Sequence, residues 1–253
     1  MLIIENDASQ ACEYARVRVV GVEFLLLWKK GLSVDKRVSG NVVLSGAICV
    51  FAAFSLSGCA PQEARTVSLF DGRTFDGWQG NLDHFRIQDG AIVGGSLEQA
   101  LPRNEFLCTE KVYRDFELSV KVKLVGDPDT ANAGIQIRSR RIPNHNDMIG
   151  YQADMGQHYW ACLYDEGRRH RILAGPDPQR LRQVLKPDDW NEYVIRCIGR
   201  RVQLWMNGYQ TVDYTEPDES LEQAGVIGLQ IHSGPPTEVW YKDIKITVIP
   251  EGR

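Results

Sequence analysis

What this sequence lacks removes several classes of function. Its six cysteines include no CxxC pair, which argues against a zinc ribbon or a thioredoxin-like redox site. Three of them, Cys108, Cys162 and Cys197, follow Cys59. An odd number suits buried free thiols better than a disulfide framework. No run of Lys and Arg with interleaved aromatics occurs and the net charge is −4, so nucleic acid is not an expected partner. Beyond Cys59 no convincing apolar stripe of helical period appears, and there is neither an internal repeat nor a low-complexity tract. An E-x-D-x-E strand, the device by which jelly-roll glucanases set two opposed carboxylates, is also missing.

The first 58 residues read as a leader. Lys36 and Arg37 precede an apolar run over residues 42–56, and Leu56, Ser57 and Gly58 then lead into Cys59. This resembles a bacterial lipobox, in which small residues admit the signal peptidase and the cysteine thiol takes a diacylglycerol. The apolar run is too short for a confident membrane span. The acidic, long segment before residue 32 is unusual for a signal peptide and points to a start codon near Leu32 or Val34. The expected organisation is a signal segment over 1–58, a lipidated polar tether over 59–66 and one β-domain over 67–249. The implied location is the periplasmic or cell-surface side of a bacterial membrane, with the lipid as anchor.

The domain reads as strand almost throughout. "HFRIQDGAIVGG" and "VQLWMNGYQTVDY" are hairpins about Asp89-Gly90 and Asn207-Gly208, dipeptides that supply the positive φ of tight turns. "DFELSVKVKL", "NEYVIRCIG" and "TEVWYKDIKITVI" alternate over long runs. Strands at such spacing predict an all-β, two-sheet antiparallel sandwich. Long loops such as "SRRIPNHNDMIG" and "DEGRRHRILAGPDPQRLRQ" exceed hairpin lengths and are candidates for function.

Strand parity picks out the candidate site. Ile135 and Ile137 share one side, leaving Gln136 and Arg138 on the other; Tyr151 and Ala153 oppose Gln152 and Asp154. Ala161 and Leu163 oppose Cys162, Tyr164 and, continuing the period, Glu166. Leu229 and Ile231 oppose Gln230 and His232. A solvated face favours Thr, Lys, Glu and Ser, whereas Gln-Arg, Gln-Asp and Gln-His recur here. If these strands share a sheet, their outer face suits a sugar-like ligand, with Trp160 beside it for stacking. Trp78, Trp190, Trp205 and Trp240 read as core residues. Asp165 and Glu166 fall on opposite sides of their strand and make a poor glycosidase pair.

"SLFDGRTFDGW", "DGAIVGG", "FELSVKVKL", "NAGIQIRSR", "GYQADMG", "LYDEGRR", "DWNEYVIRCIGRRVQLWMNG" and "GVIGLQIHSGPPTEVWYKDIKI" together resemble the 3-keto-disaccharide hydrolase family. The resemblance runs from Val67 to Val248. It implies a concanavalin-like jelly-roll, a periplasmic or surface location and action on glycosides oxidised at the 3-hydroxyl. A ketone at C3 acidifies the C2 proton, so cleavage can run through an enolate with loss of the C1 substituent. That route needs a base, a donor at the enolate oxygen and an acid at the leaving oxygen. Asp154 or Glu166 can be base or acid, Arg138 and His232 oxyanion donors, or His232 a proton shuttle, while Gln136, Gln152, Tyr164 and Gln230 hold sugar hydroxyls. No cofactor is required by this chemistry. Asp154, Glu166 and His232, with His158 or His145 nearby, also admit a divalent metal. Asp71 and Asp76 could suggest calcium, but Asp-Gly turn chemistry explains them. The alternative to an enzyme is a non-catalytic carbohydrate-binding lipoprotein using the same face.

Overall fold

Alternating burial along the strands sorts their side chains between two sheets and the solvent. In the computed structural model, residues 65–250 are described in full, with the backbone of three earlier strands. The chain divides into two units, Met1–Ser57 and Gly58–Arg253. In the first, β1 (Ile3–Glu5), β2 (Tyr14–Val19) and β3 (Val22–Leu27) form an antiparallel sheet in that order. Residues 42–56 and Cys59, which carry the expected signal and lipidation site, lie outside the described residues.

The second unit begins with β4 (Arg65–Ser68), β5 (Trp78–Gln79), β6 (Phe85–Gln88), β7 (Ala91–Ser96), β8 (Glu105–Thr109) and β9 (Phe116–Gly126). It continues through β10 (Asn132–Arg141), β11 (Met148–Gly156), β12 (Leu163–Glu166) and β13 (Ile172–Ala174) to the helix α1 (Pro178–Val184). The chain closes with β14 (Asn191–Ile198), β15 (Arg201–Met206), β16 (Tyr209–Thr215), β17 (Val226–Ile231) and β18 (Thr237–Val248). One sheet runs β13-β12-β11-β10-β17-β8-β5. The other runs β16-β15-β14-β9-β18-β7-β6, with β4 added beside β18. Every pairing is antiparallel.

Phe116, Leu118, Val120, Val122 and Leu124 alternate along β9 and enter the core between the sheets, where they meet Ile135, Tyr151, Leu163 and Leu229 from the opposite one. Both expected hairpins form, with Asp89, Gly90, Asn207 and Gly208 all at positive φ. Asp71 is a turn residue. Its Oδ1 accepts the Arg73 and Thr74 N–H groups at 2.7 and 2.8 Å, and these bonds hold its carboxyl below the usual range. Cys108, Cys162 and Cys197 are free and buried.

The expectation of no helix fails at α1. Asp177 caps it by accepting the N–H groups of Gln179 and Arg180, and Pro178 opens its first turn. Only Leu181 is buried, so no apolar stripe announces it. Among the described residues no helix is long and apolar enough to cross a membrane.

Candidate functional site

Register builds the site on the outer face of the β12-β11-β10-β17 sheet. Gln136 pairs with Gln152, Gly134 with Asp154 on one side and Gln230 on the other, Gln152 with Tyr164, and Gly150 with Glu166. Residues paired across strands share a face, so Gln136, Gln152, Asp154, Tyr164, Glu166 and Gln230 point the same way. Two phenols fix this floor from within the core. The Tyr241 hydroxyl lies between the carbonyls of Gly134 and Gln230, at 3.0 and 2.7 Å, and the Tyr193 hydroxyl donates to the Asp154 carbonyl at 3.4 Å.

The side chains on the floor form one directed chain of hydrogen bonds. Ser139 Oγ donates to Gln136 Oε1, Gln136 Nε2 to Gln152 Oε1, and Gln152 Nε2 to both Asp154 Oδ1 and Gln230 Oε1. Gly134 clears the ground for this chain, because a Cβ there would stand 2.6 Å from the Gln152 amide. The floor is covered as well as polar: Gln136, Gln152, Asp154 and Gln230 are each at most 3% exposed. Two polar atoms on it find no partner among the described residues, Gln230 Nε2 and Asn132 Oδ1. An unpaired buried amide group costs about 1–3 kcal/mol, which a ligand hydroxyl bonding to it would recover. Asn132 precedes Gly134 by one strand repeat and stands opposite His232, whose N–H donates to its carbonyl. Parity could have found it from sequence, as it found Gln136.

Burial pushes the Asp154 carboxyl up to about 8, against the pull of hydrogen bonds from Gln152 and the Met155 N–H; the neighbouring Glu166 charge adds to the rise. Asp154 is therefore a neutral acid at pH 7. Its Oδ1 already accepts both bonds, which leaves Oδ2 to carry the proton. Glu166 is half-buried. Burial raises its carboxyl and Asp147 adds to this, while His170 and His232 act the other way. His232 Nδ1 lies 2.7 Å from the Ser233 carbonyl, which can only accept. Nδ1 thus carries a proton in either state of the ring, so Nε2 is the nitrogen that can hold a lone pair. Beside these groups stands an aromatic wall in which Tyr159 meets Tyr164 edge-on at 6.1 Å and His158 lies 4.0 Å from Tyr159.

Expectations for Arg138, Trp160 and the core tryptophans are corrected. Arg138 does not join the set. The register shifts between Ile137 and Arg140, and Arg138 adopts φ +49°, so its side chain turns away from the glutamines. Its guanidinium is fully buried among the carbonyls of Arg114 and Gly199, Gln223 and the Asp115 carboxylate. Gly150 and Gly225 make the bulge feasible, since a Cβ at either would collide with Ser139. Arg138→Ala should therefore lower the melting temperature by many degrees, by stranding a buried carboxylate, while turnover per folded molecule stays near wild type; a thermal melt beside an active-site titration checks both. Arg141 reaches β5 and β8 in the same sheet, where its Nη2 donates to the carbonyls of Gln79 and Phe106.

Trp160 packs partly buried against the main core, and Tyr159, one residue earlier, holds the aromatic position, because the helical turn at Gln157–Tyr159 breaks the strand period. As for a metal, no group of three His, Cys, Asp or Glu able to hold one occurs among the described residues. His145 and His158 are both exposed, and His158 lies against Tyr159. Of the tryptophans expected in the core, Trp78 is there. Trp240 and Trp190 pack edge-on in a separate cluster with Lys123 and Lys242 over their rings, and Trp205 is half-buried.

Two antiparallel sheets in this order, one bearing a polar face, define a jelly-roll sandwich of the galectin-like kind. A model of the 3-keto-alpha-glucoside-1,2-lyase-like domain matches residues 65–247, and the chain belongs to that family. No curated protein matches it significantly. Solved structures share the fold. A Parabacteroides distasonis protein carrying the provisional name glycosyl hydrolase is 16% identical, with TM-score 0.55 over 73% of this chain and 94% of its own. A second from the same organism, under the same provisional name, gives 19%, 0.54, 73% and 100%. A Bacillus subtilis protein of unknown function with a galectin-like fold gives 12%, 0.53, 73% and 98%. Family membership places the chain among carbohydrate-active proteins.

Proposed function

We propose that the domain cleaves 3-keto-glycosides by taking the C2 proton and expelling the C1 substituent. The observation that carries this reading is a buried carboxylic acid, Asp154, kept protonated to about 8 beside the half-buried pair Glu166 and His232. A protonated carboxylic acid near an imidazole with a free ring nitrogen offers an acid and a base to one substrate. His232 Nε2 takes the C2 proton, and Glu166 stabilises the imidazolium that forms. The electron pair moves into a C2–C3 enolate whose oxygen is met by the unpaired Gln230 Nε2 donor. Collapse of the enolate restores the C3 carbonyl, forms the C1–C2 double bond and releases the C1 oxygen, which takes the Asp154 proton. Water then adds to complete hydrolysis, or the unsaturated sugar leaves as a lyase product. Asn132 and Tyr164 hold ring hydroxyls.

The test is incubation of the mature domain with a 3-keto-glucoside and with its unoxidised parent, following release of the aglycone. The keto sugar should be consumed and the parent left intact, because only the ketone acidifies C2. Equal cleavage of both rejects the elimination. Tight binding of both without cleavage would favour a carbohydrate-binding protein. Since the acid must be protonated, kcat should fall as pH rises through about 8. A rate that keeps climbing beyond pH 9 would remove Asp154 from that role.

We also propose that the protein is exported and lipid-anchored at Cys59, on the strength of the basic, apolar and small-small-Cys order of its leader. Cys59→Ala produced in a bacterial host should leave the membrane fraction and lose lipid labelling. Unchanged labelling would end this reading.

A further inference from the structure

The chain crosses between the two sheets from β7 to β8 and again from β17 to β18, and these crossings are bonded to each other. Leu101 and Gly234 exchange both backbone hydrogen bonds, at 3.0 and 2.9 Å. Asn104, half-buried and without a part in the chemistry above, adds a side-chain bond. Its Oδ1 accepts the Ser233 N–H at 2.9 Å, and its Nδ2 donates to Asp147 Oδ1 at the same distance. The amide can sit only this way round, because a backbone N–H donates and never accepts.

These bonds hold both halves of one contact, that of His232 Nδ1 with the Ser233 carbonyl at 2.7 Å. The carbonyl belongs to the peptide plane that ends in the Gly234 N–H, which Leu101 holds. The ring hangs beside the preceding plane, which ends in the Ser233 N–H, and Asn104 holds that one. On its other flank the His232 N–H reaches the Asn132 carbonyl at 3.3 Å, a longer and weaker tie. Which nitrogen of a neutral imidazole carries the proton is set by the bonds its two nitrogens make. The placing of the Ser233 carbonyl therefore decides which nitrogen is left to act as base.

We infer that Asn104 is a positioning residue: by clamping the Ser233 peptide it keeps the His232 proton on Nδ1 and leaves Nε2 free to take a proton from the sugar. Only the kinetic half of this inference rests on the proposed cleavage reaction. The tautomer itself is read by long-range proton–nitrogen NMR correlation at a pH where the ring is neutral, the His232 signals being those lost in His232→Ala. Wild type should show a protonated Nδ1 and a bare Nε2. In Asn104→Ala the two nitrogen signals should move towards each other as the second tautomer gains population. Its kcat on a 3-keto-glucoside should fall about tenfold, the worth of one well-placed hydrogen bond, with KM little changed. The exchanged pair Asn104→Asp/Asp147→Asn keeps both bonds, since the new carboxylate accepts from the Ser233 N–H and from the new amide. It should restore the wild-type ring signals. Its turnover should be no lower than that of Asp147→Asn alone, which keeps the Asn104 bond but drops the charge beside Glu166. A wild-type tautomer in Asn104→Ala would reduce Asn104 to a tie between loops and overturn the assignment. A rise in KM with kcat unchanged would also overturn it, by making Asn104 a binding residue. Should Asn104→Ala not fold, the exchanged pair decides, and loss of the wild-type ring signals there ends the inference. If wild type consumes no keto sugar, the cleavage reaction falls, and the ring signals alone still judge Asn104.

Discussion

Asp154→Asn should lose at least two decades of turnover on a 3-keto-glucoside while melting at or above the wild-type temperature. The kinetic half follows from the chemistry, since removing a positioned general acid typically costs about a hundred- to ten-thousand-fold. The stability half follows from linkage. The unfolded chain releases this proton near 3.8, whereas the folded protein holds it to about 8. Between those values the folded state binds more protons, so stability falls as pH rises through the window. Asn cannot ionise, and its Oδ1 can still accept from Gln152 and the Met155 N–H. The variant should therefore shed that slope and gain its advantage over wild type as pH approaches 8. His232→Ala should match it in lost turnover without sharing the pH-dependent gain in stability. Full activity in both variants would move the chemistry elsewhere. A drop in melting temperature for Asp154→Asn would mean that the carboxylate is a structural anion and not a strained acid.

Local chemistry explains which parts of this site could be read from sequence. Turns at Asp89-Gly90 and Asn207-Gly208 depend on two adjacent residues, and both hairpins form as expected. Parity placed Gln136, Gln152, Asp154, Tyr164, Glu166 and Gln230 on one face because their strands run without interruption between Asn132 and Ile137, between Gly150 and Gly156, and along β12 and β17. Arg138 was misread because its bulge is set by Gly150 on β11 and Gly225 just before β17, which a pattern within β10 does not reveal. Trp160 was misread because one helical turn after β11 shifts the period by a residue. Burial of the glutamines was not legible at all. It depends on which loops close over the sheet, and a strand pattern cannot distinguish a wetted polar face from a covered one.

Arg169→Met should destabilise the domain by about 3–5 kcal/mol, the usual cost of stranding buried carboxylates. Asp165 and Glu216 are both fully buried. Arg169 spans them: its Nε bonds to Asp165, while Nη2 and Nη1 reach the two Glu216 oxygens at 2.6 and 3.2 Å. Tyr151 donates to Glu216 from the core, and Arg168 pairs with Asp165 while lying 4.3 Å over the Tyr151 ring. Burial alone would raise the Glu216 carboxyl, but the bonds from Arg169 and Tyr151 outweigh it and hold it at about 2, below its ordinary 4.5. A depressed carboxyl stabilises the fold above its unfolded pKa, and that contribution drains away as pH falls from 4.5 towards 2. The gap between wild type and variant should therefore be wide at pH 7, roughly 10 °C in melting temperature for a domain of this size, and narrow near pH 3. Function should register the loss as well. The Arg169 clamp closes the turn that starts at Gly167, directly after Glu166, and the Asp165 carbonyl receives the His170 N–H across it. Without the clamp Glu166 loses its fixed position on the polar face, so kcat should fall with little change in KM, even at temperatures where the variant is folded. A pH-independent gap in melting temperature would show that Arg169 acts through packing of its stem and not through the two carboxylates.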